Sequence, residues 1–525
     1  MKTSCLFAFL ALMFPALSQG EGIRGADLVI PPKLAPHVKV EGDRLIVDVP
    51  KDLPGRQRTC WYATLPLDLS DCAQLAYGAE VSVRGEGVEV PRNVRLALHW
   101  RDTASGPWHF DRAAVPRESS FGWTTIRLDA QFGERPPLKD AGLNLGLQQC
   151  GGRLEFDLST LKFGKAPSIF PVVDDDRKIA YPDRVLKRGR LRGTMARGGL
   201  RTTEKDVEDL HRYGANLIRL QYNSFRLGPV KTDDPAELIR LWDVWFAAWL
   251  KHTDDVLAWA EARDMLVAID MHNPPVGSYG PGCGLFNEPL FAARFVSAWE
   301  EIARRYRGRK GIYGYDLINE PMQRKRACED CDYWNVQRRA AEAIRRIDPD
   351  VTIIVEANNW DNPAAFAYLR ALDMDNVIYQ VHVYNPHGFT HQCANSADRP
   401  VPLEQREVWP NPRKGWNKDF LRADLQPVVD FQKRHNAKIY VGEFSASIFA
   451  PGAGRYLADC IELFEELGWD WTYHSFREAR AWNIETAYDE QTGKVVPSFD
   501  NDRFKAVVGG WSRCQKLFPN GNICH

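Results

Sequence analysis

From about residue 190 the chain settles into one rhythm that limits its fold more than any other feature. Short apolar runs, "LRGTM", "NLIRLQY", "LVAIDMH", "YDLINEP", "TIIVEAN", "VIYQVHVY", "IYVGEFS" and "WDWTYHSF", alternate with longer stretches whose apolar residues recur three or four apart, such as "ARFVSAWEEIARRYRG" and "RYLADCIELFEELG". Runs of the first kind suit buried parallel strands, and stretches of the second kind suit amphipathic helices. Alternation of this kind over residues 190–515 predicts a (β/α)8 TIM barrel. An open doubly wound sheet shares the alternation, but no glycine-rich phosphate loop follows the first strand.

Residues 25–165 have a different period. Segments such as "RLIVDVP", "AEVSVRG", "RLALHW", "TTIRLDA", "LNLGLQQ" and "GRLEFDLSTLKF" alternate in polarity and are broken by Gly and Pro. They predict a small antiparallel β-sandwich in front of the barrel, either a structural module or a carbohydrate-binding one. Trp100, Trp108 and Trp123 are its candidate sugar-stacking residues, with core packing as their other explanation. The Pro- and charge-rich residues 166–189 read as a linker, and 516–525 as a C-terminal tail. A length of 525 residues accommodates both domains.

Residues 1–20 combine Lys2, the apolar run "CLFAFLALMFPAL" and small residues, the pattern of a secretory signal peptide. The apolar run is shorter than the roughly 18–20 residues of a membrane span. A secreted or periplasmic protein with no membrane in its mature form is therefore expected. Of 11 cysteines, removal of Cys5 leaves an even set, which suits disulfides. Cys283, Cys328, Cys331 and Cys393 also have the makings of a four-thiolate zinc site, but in an exported chain disulfides are the better reading. A formal net charge of -1 gives no reason to expect nucleic acid as a partner. The protein is taken as a monomer.

The tripeptide Asn-Glu-Pro occurs twice, at 287–289 and 319–321. After the first, Phe291, Phe295, Trp299, Ile302 and Tyr306 form one apolar helical face, so Asn287 reads as the N-cap and Pro289 as a first-turn residue. The second follows the strand "YGYDLI", which puts Glu320 at a strand's C-terminal end, the end where β/α barrels carry their sites. The same position on other strands holds Arg219, Asp270, His272, Glu356, His382, Tyr384 and Glu443, with Trp471 in the last strand. Convergence of so many polar groups on one rim points to a catalytic site.

In content and order, "IRLQY", "DMHN", "LINEP", "HVY", "VGEF" and "WTYHSF" resemble glycoside hydrolase family 5, the cellulase-type retaining β-glycosidases. The resemblance covers roughly 190–515 and departs from the family pattern in a Pro-rich insertion at about 385–420 and in the first-strand end "RGTMARGGL". It implies Glu320 as acid/base and Glu443 as nucleophile, roles that two carboxyls on facing strands suit. Glu320 must then be protonated near neutral pH. Arg219 and Tyr384 are placed to hold Glu443 ionised, and Asn319 to bind the sugar 2-hydroxyl. His272 and His382 are placed to orient carboxylates or bind hydroxyls, and Trp471 and Trp360 to stack on sugar. Asp270 and Glu356 read as supporting residues.

The expected activity is hydrolysis of a β-1,4-linked polysaccharide or oligosaccharide, foremost as an endo-β-1,4-glucanase, without cofactor or metal. Alternatives within the family are a β-mannanase, a xyloglucanase or an exo-acting β-glucosidase. A metal-dependent enolase-type barrel would use Asp270, Glu320 and Glu356, but no lysine base sits at a strand end. A non-catalytic sugar-binding protein would not need both glutamates.

Overall fold

A computed structural model describes residues 27–69, 76–101, 109–113, 115–131, 139–166, 176–223, 234–275, 284–286, 288–323, 331–394 and 400–517. The expected signal peptide, Asn287, Trp108, Cys72, Cys283, Cys328, Cys524 and the end of the tail lie outside them. The chain forms two compact units that part near residue 172.

In the first unit, two antiparallel sheets enclose one core. One sheet has five strands, in the order Val38–Glu41, Arg44–Val49, Gly152–Ala166, Ala76–Glu86 and Phe121–Gln131. The other has four, in the order Cys60–Pro66, Lys139–Gln148, Val94–Arg101 and His109–Arg112. Alternate residues such as Val81, Val83, Leu96, Leu98, Leu143 and Leu145 are buried, which is how a two-sheet core forms from period-2 sequence. Trp100 belongs to that core and is 4% exposed, so it offers no sugar platform. Trp123 is 44% exposed, and the guanidinium groups of Arg44 and Arg84 lie over its ring.

In the second unit, eight parallel strands close into a barrel. They are β1 (Arg192–Met195), β2 (Leu217–Gln221), β3 (Leu266–Asp270), β4 (Ile312–Asp316), β5 (Ile353–Glu356), β6 (Val377–Val383), β7 (Lys438–Phe444) and β8 (Asp470–Tyr473). β1 pairs with β8 to complete the ring. Helices including Pro235–Glu261, Pro289–Tyr306, Tyr333–Ile347 and Ala453–Leu467 surround it and bury their apolar faces on the strands. Among the described residues no helix is long and apolar enough to cross a membrane.

Inside the barrel, Leu217, Leu266, Ala268, Tyr313, Ile354, Ile378 and Tyr440 pack together. Two residues further along β2, β3, β5 and β6 stand Arg219, Asp270, Glu356 and Gln380, all buried. Period 2 thus carries each strand from an apolar floor to a charged layer nearer its C-terminal end. β4 and β7 depart from this period, because the register slips by one residue at Tyr313 and at Gly442. Each slip lets residues three apart, Tyr313 with Asp316 and Tyr440 with Glu443, serve the interior. A β-carbon on Gly442 would lie 2.3 Å from the Gln380 side chain, so glycine is required at the second irregularity.

Several expectations change. Residues 176–189, assigned above to a linker, are folded against the barrel's N-terminal end. Ile179 is buried in its core, and the Tyr181 hydroxyl donates to the Val377 carbonyl and accepts from Lys438 N–H. The N-cap of helix Pro289–Tyr306 is Glu288 rather than Asn287, and its carboxylate accepts from Leu290 N–H. A carboxylate does this work well because it also meets the positive end of the helix dipole. The last helix, Asp502–Leu517, runs two residues into the expected tail. Cys331 is disulfide-bonded, which removes it from a four-thiolate set, and Cys60, Cys150, Cys393 and Cys460 are thiols, which removes Cys393 from any cystine.

Candidate active site

Arg219, fully buried at the centre of the barrel, organises the rim. Its Nε donates to Asp316 at 2.8 Å, Nη1 to Glu443 Oε1 at 2.7 Å, and Nη2 to Asn319 Oδ1 and Glu356 Oε1, both at 3.0 Å. Asp270 approaches the same guanidinium at 3.3 Å. Four acids around one cation leave an excess of negative charge that must be dispersed or protonated. Burial raises Glu356, Asp316 and Asp361, so protons collect on this inner layer. Asp270 and Glu356, two of the three acids an enolase-type metal set needs, thus both face a guanidinium.

Glu443 behaves in the opposite way. Burial disfavours its charge, but the electrostatic influence of His382, His474, Arg219 and His272 outweighs burial and holds it well below the usual carboxylate range. Its second oxygen accepts from the Tyr384 hydroxyl at 2.8 Å. His272 is oriented by Asp270, whose Oδ2 lies 2.9 Å from Nδ1. Burial works against a charge on His272, yet Asp270 and Glu443 raise it.

Glu320 lies beyond the end of β4 with a backbone φ of +46°, a left-handed conformation that is costly for a residue with a β-carbon. Its own N–H donates to Glu356 Oε2 at 2.6 Å, which ties the strained turn to the buried layer. Its side chain, 20% exposed, meets His382 Nδ1 at 2.9 Å. Gln380 donates to the other nitrogen of His382 at 3.2 Å, so His382 carries its proton on Nδ1 and donates it to Glu320. Atoms of Glu320, His382 and Glu443 capable of binding a metal lie within 4.8 Å of one another, as do those of Glu356, Asp361 and His382. His382 is common to both sets, and its two nitrogens already face Glu320 and Gln380.

The structure brings together Arg219, His272, Asn319, Glu320, His382, Tyr384 and Glu443. Trp360, 37% exposed, joins them after β5, where its N–H donates to the Pro321 carbonyl. Trp471 does not join. It is fully buried, it packs edge-on to Phe444, and its Nε1 donates to Glu465 on helix Ala453–Leu467. Strand pleating turns that side chain to the outside of the barrel, toward the helix.

The residue that β8 does send to the rim is His474. Its Nδ1 lies 2.8 Å from the Tyr384 hydroxyl and its Nε2 lies 3.0 Å from Glu478. Trp482 stands beside it with ring centroids 5.3 Å apart. None of His474, Glu478 and Trp482 was picked out from sequence. His474 was within reach, since it directly follows the strand in "WTYHSF"; Glu478 and Trp482 come from a loop with no periodic signal.

A family model described as cellulase (glycosyl hydrolase family 5) matches residues 187–480, more than half of the chain. This chain belongs to glycosyl hydrolase family 5. The family 5 enzyme is accordingly a glycoside hydrolase of cellulase type. Endoglucanase C of Acetivibrio thermocellus is 27% identical to it over 300 residues, which are 52% of this chain and 83% of the relative. Cellodextrinase A of Ruminococcus flavefaciens is 25% identical over 195 residues, 36% of this chain and 56% of the relative. Among solved structures, Thermotoga maritima Cel5A with cellobiose superposes with a TM-score of 0.46 at 21% identity, covering 60% of this chain and 97% of that one.

Proposed function

We propose that this family 5 enzyme is an exported endo-β-1,4-glucanase that cleaves with retention of configuration, using Glu320 as acid/base and Glu443 as nucleophile. The observation that carries the reading is the pair's spacing, with oxygens of Glu320 and Glu443 within 4.8 Å. Retaining enzymes hold their carboxyls about 5–5.5 Å apart, whereas inverting ones need about 6.5–9.5 Å to admit a water. The environments of the two groups agree with the division of labour: Glu443 is held as an anion between Arg219 and Tyr384, while Glu320 sits half-open beside His382.

In the first step Glu443 attacks the anomeric carbon, the glycosidic C–O bond breaks, and Glu320 gives its proton to the departing oxygen. His382 occupies one oxygen of Glu320 and leaves the other to carry that proton. In the second step Glu320 takes a proton from water, the water oxygen bonds to the anomeric carbon, and Glu443 departs as a carboxylate. Asn319, fixed through its carbonyl oxygen by Arg219, donates to the sugar 2-hydroxyl. Trp360 offers a flat face to a neighbouring sugar.

Export rests on residues 1–20, and the choice of a β-1,4-glucan rests on the endoglucanases among the relatives. The test is hydrolysis of a β-1,4-glucan monitored by proton NMR, together with product sizing. The β-anomer should appear first, and internal cuts should give a spread of oligosaccharides. Initial release of the α-anomer, or full activity of Glu443→Gln, would overturn the mechanism. Preferential cleavage of mannan or xyloglucan, or release of terminal sugars alone, would overturn the substrate assignment.

A further inference from the structure

The rim contains a chain of four groups that the double displacement does not by itself require. Glu478 Oε2 lies 3.0 Å from His474 Nε2, His474 Nδ1 lies 2.8 Å from the Tyr384 oxygen, and that oxygen lies 2.8 Å from Glu443 Oε2. A tyrosine hydroxyl has one hydrogen and cannot donate in both directions.

Suppose His474 is neutral with its proton on Nε2, facing the Glu478 carboxylate. Nδ1 must then accept from Tyr384, and the tyrosine oxygen meets the Glu443 carboxylate lone pair against lone pair. Suppose instead the single proton is on Nδ1. Tyr384 is then free to donate to Glu443, but the bare Nε2 faces the Glu478 carboxylate. Only a doubly protonated ring satisfies all three contacts with both carboxylates ionised.

Resting on the retaining mechanism proposed above, we infer that His474 and Glu478 are positioning residues for the nucleophile, holding two protons on the imidazole so that the Tyr384 hydroxyl points at Glu443. Loss of one of those protons lets Tyr384 turn its hydrogen to Nδ1. Glu443 then keeps Arg219 but loses its second donor, which weakens both its fixed aim and its stability as the carboxylate that must leave in the second step.

The surroundings support a cation at this position. Glu443 from β7, Glu320 from the end of β4 and Glu478 from the loop after β8 supply three carboxyl groups. His391, from the segment after β6, also faces this position, and burial lowers it to about 3, so it stays neutral. His272, two residues beyond the end of β3, acts on Glu478 and on Glu443. Arg477, on the same loop as Glu478, is committed to Asp206, Asp209 and Glu485. Burial opposes a charge on His474, but Glu443, the hydrogen bond and charge of Glu478, and Glu320 outweigh burial and raise it.

Two measurements on the full chain test the inference. The first is the alkaline side of the pH profile of kcat/KM on 2,4-dinitrophenyl β-cellobioside, whose leaving group needs no proton from Glu320. The wild type should lose activity there as His474 deprotonates. Glu478→Gln should bring that loss to lower pH by about one unit or more, and His474→Phe should remove it. An unchanged break in either variant would overturn the inference.

The second is nitrogen-15 NMR of histidine-labelled protein, with the His474 signals assigned by their absence in His474→Phe or His474→Gln. Both ring nitrogens should be protonated at pH 7 in the wild type and release a proton at lower pH in Glu478→Gln. A singly protonated ring at pH 7 would overturn it. Should the wild type hydrolyse no β-glycoside at all, the functional reading fails while the NMR result still decides the proton chain.

Discussion

Arg219 and Glu443 are joined by a 2.7 Å hydrogen bond from Nη1 to Oε1, and the same guanidinium also holds Asp316, Glu356 and Asn319. A lysine ammonium cannot reproduce that planar fork, because its three donors sit on a single nitrogen. Arg219→Lys should therefore lower kcat/KM by about 10²-fold or more, the cost of losing one aligned donor at a reacting carboxylate. Arg219→Met should also cost about 3–5 kcal/mol of stability, since it strands buried acids without their cation. Kinetics on a β-glucan and urea unfolding measure the two effects. Wild-type kcat/KM in the lysine variant would refute the assignment of Arg219 to the nucleophile.

The assigned roles of Glu320 and Glu443 separate on leaving groups. Glu320→Ala should lose about 10²–10⁴-fold on an unactivated β-glucan, the usual worth of a positioned proton donor. The same variant should keep far more of its first-step rate with a dinitrophenyl leaving group. Glu443→Gln should be inactive on both. Equal losses on both substrates in Glu320→Ala would mean that Glu320 does not supply the proton.

The eight strands were legible because a parallel strand buried on both faces must be a short apolar run, and "LVAID" or "IYVGE" admits little else. The charged rim was legible because polar groups ending such runs need a reason to be there. Which face a strand residue presents was less legible. The register slips at Tyr313 and Gly442 bring Asp316 and Glu443 inward at a spacing of three, and no period in the sequence marks them. Trp471 lies in the last strand where the family resemblance places a stacking tryptophan, but pleating sends it outward, while His474 three residues later reaches the site. In the sandwich, "CWYATLP" alternates as well as the segments that were recognised, and it forms the edge strand Cys60–Pro66 of the four-stranded sheet.

Asp424 carries a stability cost that depends on pH. It ends the helix Lys418–Asp424, both its oxygens accept from Asn385 Nδ2 at 2.9 and 3.1 Å, and burial raises it to about 6 from 3.8. A carboxyl whose folded pKa lies above its unfolded one binds more protons when folded, so stability falls as pH rises between those two values. Above about pH 6 the full cost is present, on the order of 3 kcal/mol. Asp424→Asn keeps an acceptor for Asn385 and cannot ionise. It should gain about 1–3 kcal/mol at pH 8 and little at pH 4, read from urea midpoints at the two values. A gain independent of pH would refute the ionisation argument.

Two tryptophans near β8 should respond oppositely to substitution. Trp471 is sealed between strand and helix, with Nε1 on Glu465, so Trp471→Phe removes packing and one hydrogen bond without touching the rim. It should cost about 1–3 kcal/mol of stability and leave kcat and KM of the folded enzyme unchanged. Trp482 stands half-buried beside the rings of His474 and His391, at 5.3 and 5.1 Å, with Nε1 on the Thr390 carbonyl. That hydrogen bond fixes a flat apolar surface next to the candidate nucleophile's partners, the kind of surface on which a sugar face stacks. Trp482→Ala should raise KM for an oligosaccharide by about tenfold, the loss of roughly 1.4 kcal/mol of binding, with a smaller effect on stability than Trp471→Phe. The opposite pattern, a higher KM from Trp471→Phe and none from Trp482→Ala, would return the stacking role to the strand residue.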